Sequence, residues 1–115
     1  MHELTLACDI LELVENAARR DNFHRVACLH LEAGALAGVE VSALRFALES
    51  LAAGTCLEGA QVRIDEPPGV AWCERCQNHV SILSRTEPCP LCDGYPLRPT
   101  GGDSLRVLDL LVQNT

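Results

Sequence analysis

Cys73-Glu-Arg-Cys76 and Cys89-Pro-Leu-Cys92 stand twelve residues apart, and their reading decides how the rest of the chain is divided. A Cys-x-x-Cys turn aims two sulfurs at one point, and two such turns facing each other complete a tetrahedron with Zn–S distances of about 2.3 Å. Two pairs at this separation read as a four-thiolate zinc site, whereas a lone pair would leave a redox dithiol or buried thiols open. Iron in the same sulfurs is the metal alternative, since softness and geometry admit both. With every position taken by protein, the site is expected to be structural rather than hydrolytic. In the stretch Cys89-Pro-Leu-Cys92-Asp-Gly94, the proline stiffens the turn and the glycine relieves crowding after it. His79, three residues after Cys76, reads first as an exposed loop histidine and second as a residue that could replace a thiolate on protonation. Cys8, Cys28 and Cys56 have no partner spacing and read as small buried apolar residues.

Turn-rich junctions bracket this segment, Pro67-Pro68-Gly69 before it and Pro99-Thr-Gly-Gly-Asp103 after it. An inserted zinc-binding domain is therefore expected over residues 69–99, with residues 1–68 and 100–115 closing on each other as a discontinuous α/β domain. Residues 4–20 carry Leu6, Ile10, Leu13, Val14 and Ala17 at helical spacing. Residues 25–33 alternate as a strand, with Ala27, Leu29, Leu31 and Ala33 on one face and Val26, Cys28, His30 and Glu32 on a half-covered one. A second helix is expected over 40–52, burying Leu44, Ala47, Leu48 and Leu51, and strands over 60–66 and 104–112. The fold class is α+β: two helices and a three-stranded mixed sheet, with a zinc-ribbon-like insert. The strand–helix–strand unit is expected to be parallel, with the last strand returning antiparallel.

At 115 residues the chain is one domain in size, and a core this small gains visibly from a metal staple. Aromatic residues are only 3% of the chain, so Leu, Val, Ile and Ala must form the core. The net charge of −7 weighs against nucleic acid, which calls for a basic surface, and suits cation handling. The first residues lack a basic leader followed by an apolar stretch, and no apolar run reaches membrane-spanning length. Seven cysteines is an odd number, and four of them have metal spacing, which favours a reducing cytoplasm over a disulfide framework. No Ser-His-Asp set, phosphate loop or carboxylate pair points to catalysis.

The N-terminus is the second candidate site. A free α-amine on Met1, the next backbone nitrogen and the imidazole of His2 can close fused chelate rings on one ion. Such nitrogen-rich, square-planar geometry suits Ni(II) or Cu(II). Binding displaces protons, so affinity falls with acidity.

In order along essentially the whole chain, several segments resemble hydrogenase maturation factors of the HypA/HybF type. They are Met1-His-Glu-Leu4, Leu31-Glu-Ala-Gly34, Glu40-Val-Ser-Ala-Leu-Arg-Phe46, Gly54-Thr55, Ala71-Trp-Cys-Glu-Arg-Cys76, Cys89-Pro-Leu-Cys92 and Thr100-Gly-Gly-Asp-Ser-Leu105. The resemblance implies a nickel metallochaperone rather than an enzyme. It implies Ni(II) as cargo on Met1, His2 and Glu3, and structural Zn(II) on Cys73, Cys76, Cys89 and Cys92. It implies delivery to the large subunit of [NiFe]-hydrogenase with a HypB-type GTPase, and in some relatives service to urease maturation proteins. Monomer and dimer are both compatible with the sequence. Two readings from other classes stand beside it. One is a structural zinc-ribbon interaction module that transfers no nickel and holds zinc alone. The other is a redox enzyme with an open dithiol and no zinc.

Overall fold

A computed structural model describes residues 2–113 of the chain. The amphipathic N-terminal segment forms helix α1 (Glu3–Asp21), whose buried stripe is Ala7, Ile10, Val14 and Ala18. The expected stripe is rotated by part of a turn: Leu13 is 54% exposed, and the small Ala7 and Ala18 face inward instead. Two apolar columns run side by side on this helix. The column with alanines at its ends admits the close approach of helix α2 (Val41–Leu51), which packs on α1. Glu3 in the first turn and Arg19 and Arg20 in the last complement the helix dipole. The helix stops at Asn22, which is left-handed with φ 59°, while the Phe23 N–H donates to the Ala18 carbonyl at 3.1 Å. Asparagine is one of the few residues other than glycine that adopt this conformation routinely.

Helix α2 is capped by Glu40, whose carboxylate accepts from the Ser42 N–H and, at 2.7 Å, from the Ser42 hydroxyl. Leu44, Ala47 and Leu48 are its buried residues, and Leu51, expected with them, is half-buried at the last turn. Strand β1 (Arg25–Ala33) is the middle of a three-stranded sheet, between β2 (Gln61–Asp65) and β6 (Leu105–Gln113). Leu29, Leu31 and Ala33 alternate into the core, as a period of two requires. Val26, expected on the open face, is buried as well, because the loop after α2 reaches the start of the strand: the Val26 N–H donates to the Cys56 carbonyl at 2.9 Å. Burial of one such aliphatic side chain contributes roughly 1.5–3 kcal/mol. These elements make one compact unit, which runs through Leu31, through Val39–Ile64 and from Val107 onward.

Glu32–Gly38 and Asp65–Arg106 make the second unit. It contains a sheet that the sequence periodicity does not foresee. Strand β3 (Gly69–Cys73) pairs antiparallel with β4 (Asn78–Ile82) on one side and β5 (Leu97–Gly101) on the other. Ala71, Cys73, Val80 and Ile82 from this sheet form its core with Leu36 and Cys89. The exit turn expected over 99–103 requires correction, because Pro99, Thr100 and Gly101 belong to β5. Pro99 sits opposite Ala71 in an edge strand, the place in a sheet where proline is tolerated, and the register slips between Val70 and Ala71 beside it. The turn is deferred to Gly102, with φ 71°. Residues 34–36 are clasped by this turn and by Pro67, two residues before β3. The Gly34 N–H donates to Ser104, Ala35 to Pro67 and Leu36 to Gly102, all at 3.0 Å or less. A Cβ on Gly34 would lie 2.2 Å from the Gly102 carbonyl oxygen, so this crossing admits only glycine.

The architecture is α+β, with two helices and a three-stranded sheet in one unit and a zinc-ribbon-like arrangement in the other. No helix among the described residues is long and apolar enough to cross a membrane.

Candidate metal centre

The two Cys-x-x-Cys segments fold as the same turn. In the first, the Gln77 N–H donates back to the Cys73 carbonyl at 2.9 Å, and Gln77 is left-handed with φ 52°. In the second, the Asp93 N–H donates to the Cys89 carbonyl at 2.7 Å, and Asp93 is left-handed with φ 59°. In each case the residue after the second cysteine bends the chain back over the pair. The last residue of β3 supplies Cys73, so a rigid strand carries one sulfur while the turns carry the others. The second knuckle is closed by the Cys89 N–H on the Gly94 carbonyl at 3.0 Å, and in the first the Cys76 N–H points at the Cys73 sulfur at 3.4 Å.

These turns bring four ligand atoms together. The sulfurs of Cys73, Cys76, Cys89 and Cys92 all lie within 4.8 Å of one another. The Cys73–Cys92 and Cys76–Cys89 separations are 3.7 and 3.8 Å. A tetrahedron with metal–sulfur bonds of about 2.3 Å has edges of about 3.8 Å, so the cluster fits one zinc-sized ion with no fifth position. Cys73 and Cys89 are buried, and Cys76 and Cys92 are half-buried.

The electrostatics of the bare thiols favour a cation. The Cys92 side chain beside it, and then burial, push the Cys76 thiol up to about 12. Burial works against ionisation of Cys89, but the backbone N–H groups of Cys92 and Leu91, together with the Cys73 and Cys92 side chains, draw that thiol down to about 7. One thiol is drawn toward ionisation by donors on it, while its neighbour is held neutral first by its hydrogen bond to Cys92 and then by burial.

The other predicted residues are placed differently. Met1 lies outside the described residues. His2 is the exposed residue that precedes α1, and its side chain makes no capping hydrogen bond. Glu3 is half-buried, and its carboxylate accepts from the Glu40 N–H at 3.1 Å. That bond first, and the N–H of Glu3 itself second, hold its carboxyl below the usual carboxylate range. Glu40 is a neighbour that sequence reading missed, since the pair stands 37 residues apart and no spacing rule links a first turn to a later cap. His79 is not part of the thiol cluster. It is exposed on β4, directly across from Trp72, and the two rings meet edge to face at 5.1 Å. The three remaining cysteines divide. Cys56 is buried as expected, Cys28 is half-buried, and Cys8 is exposed because it lies about 100° around α1 from Ala7. Burial, and then a hydrogen bond to Glu15, push the Cys56 thiol up to about 11.

A knuckled four-thiolate centre on an antiparallel sheet, joined to an α+β unit of two helices, defines a small zinc-ribbon-bearing metal protein. Over residues 1–112 the chain matches the family described as hydrogenase/urease nickel incorporation, metallochaperone, hypA. It is 59% identical over 114 residues to the hydrogenase maturation factor HypA of Cupriavidus necator, covering 99% of this chain and 96% of that protein. It is 54% identical over 112 residues to the HypA of Polaromonas naphthalenivorans, covering 97% of both. The solution structure of the Ni metallochaperone HypA from Helicobacter pylori shares the fold, with a TM-score of 0.67 at 19% identity and 97% coverage of each chain. The chain belongs to the HypA family of nickel metallochaperones in hydrogenase maturation.

Proposed function

We propose that this chain carries Ni(II) on its N-terminal segment and hands it to the large subunit of [NiFe]-hydrogenase. Nickel is the cargo. The α-amine of Met1, the backbone nitrogen and imidazole of His2, and Glu3 are its ligands. The observation that carries this reading, within a chain of this family, is the placement of His2. It precedes α1, is exposed, and has no capping bond to surrender when a metal arrives. Ligands on a terminal segment can be replaced one at a time by the thiolates of an acceptor. Affinity alone would favour Cu(II) over Ni(II), so selectivity rests on docking and metal supply. A HypB-type GTPase and the hydrogenase large subunit are the proposed partners, with urease maturation proteins as a further set, and the cytoplasm is the proposed setting. The chain acts as a carrier and not as an enzyme.

In this reading Cys73, Cys76, Cys89 and Cys92 hold a resident Zn(II) that is structural and stays in place. Residues 69–99 serve as the zinc domain, and residues 1–68 with 100–115 as the nickel domain. The test is nickel and zinc stoichiometry on protein with a native, untagged N-terminus. Wild type should hold one of each, and His2→Ala should lose nickel while keeping zinc and thermal stability. Unchanged nickel content in that variant would place the cargo site elsewhere. Zinc alone in the wild type would favour the interaction-module reading.

A further inference from the structure

We propose that Arg75 guards the four-thiolate centre, offsetting its negative charge and keeping the Cys92 sulfur from capturing the cargo nickel. This rests on the zinc reading above. Arg75 belongs to the first knuckle, yet its side chain lies across the second. The position that a Cβ would take on Gly94 is 2.9 Å from Arg75 Nη1, 3.1 Å from Arg75 Cδ and 3.4 Å from Cys92 Sγ. Guanidinium and sulfur therefore flank one methyl-sized space, and the missing side chain of Gly94 is what lets the arginine lie there. Gly94 is buried beneath it.

No carboxylate among the described residues pairs with Arg75. The adjacent Glu74 is already engaged by Arg98 at 2.9 Å, so the charge of Arg75 is free to act on the sulfurs. A guanidinium keeps that charge at any ordinary pH. Four thiolates around one dication leave a net negative centre, and a positive group beside a sulfur makes that sulfur a poorer donor to a second metal. The need follows from the cargo: Ni(II) binds thiolates more tightly than most divalent ions of its row. In a nickel carrier, a thiolate edge open to solvent is a second set of donors that competes with the terminal ligands for the cargo.

The test uses full-length, untagged, zinc-loaded protein challenged with excess Ni(II). Released zinc is followed with a chromogenic chelator, and nickel capture by its thiolate charge-transfer band. Arg75→Gln should release zinc roughly fivefold faster than wild type, the scale of one partly solvated charge interaction. Arg75→Lys keeps the charge and should keep most of the protection. Gly94→Ala displaces the guanidinium without removing it, so it should speed release to a similar degree and add nothing on top of Arg75→Gln. Release from Arg75→Gln at the wild-type rate, or from Arg75→Lys as fast as from Arg75→Gln, overturns the guard while leaving the zinc site standing. Wild type isolated without zinc overturns the zinc reading and the guard together.

Discussion

The two units of this chain have cores of different chemistry. The helical unit buries Ile10, Val14, Leu29, Leu31, Leu44, Leu48 and Leu57 behind small alanines. The ribbon unit buries Leu36, Ala71, Val80 and Ile82 around Cys73 and Cys89, with Cys76 and Cys92 packed against them. An aliphatic core of the first kind holds itself together. A handful of side chains, several of them thiols that would repel as thiolates without a cation, needs a metal. The difference teaches how a chain of this family can hold two kinds of metal site. The four thiols lie within the core of their unit, whereas of the proposed cargo ligands His2 is exposed and Glu3 is tied to the Glu40 backbone.

The largest effect should come from breaking the metal-held core. Cys89→Ser, or removal of zinc by a chelator, should unfold the ribbon unit, since structural zinc contributes on the order of 10 kcal/mol to small zinc-held folds. Trp72, the only tryptophan, lies in β3 and reports on this unit alone. Its emission should shift to the red while helical circular dichroism is largely retained. Loss of the helices as well would show that the two cores are not separable. In the other core, Leu48, which is 1% exposed, should cost about 2–5 kcal/mol when cut to alanine. Zinc content should stay at one per chain, and zinc loss in this variant would again join the two cores. The smallest effect is a matter of pH. The Cys56 thiol is pushed up to about 11 in the folded state, by burial first and Glu15 second. Its contribution to stability is thus fully present below the ordinary thiol value near 9 and is lost as pH rises through 11. The chain has no lysine, so no lysine titration masks the effect. Cys56→Ala should flatten the alkaline limb of the melting-temperature profile, and an unchanged limb would remove Cys56 as its source.

Some elements were legible because their signals are local. The helix expected over 4–20 is found at Glu3–Asp21, and the strand expected over 25–33 is found at Arg25–Ala33. Both have a clear period and a polar break at each end. The four cysteines announced their convergence through spacing, since a Cys-x-x-Cys turn builds its geometry from its own backbone. The second sheet was hidden because its strands are five residues long and lie between turn signals, too short for alternation to stand out. Pro99 misled for a related reason. Proline marks turns in general, and only strand order reveals that this one sits on an edge. Leu13 and Cys8 were misjudged because a helix with two apolar columns does not say which one its neighbour will cover.

By itself, the sequence determined the α+β class, the cysteine knuckles and the family resemblance. Each of these depends on residue types at short, fixed spacing. Only the tertiary structure decided which face of α1 is buried, that Glu3 is tied to the Glu40 backbone, that Gly34 threads against Gly102, and that Arg75 lies over Gly94 on the second knuckle. Those are contacts between distant segments. Packing settles them by choosing among several arrangements that the local chemistry permits equally, and no spacing along the chain records the choice.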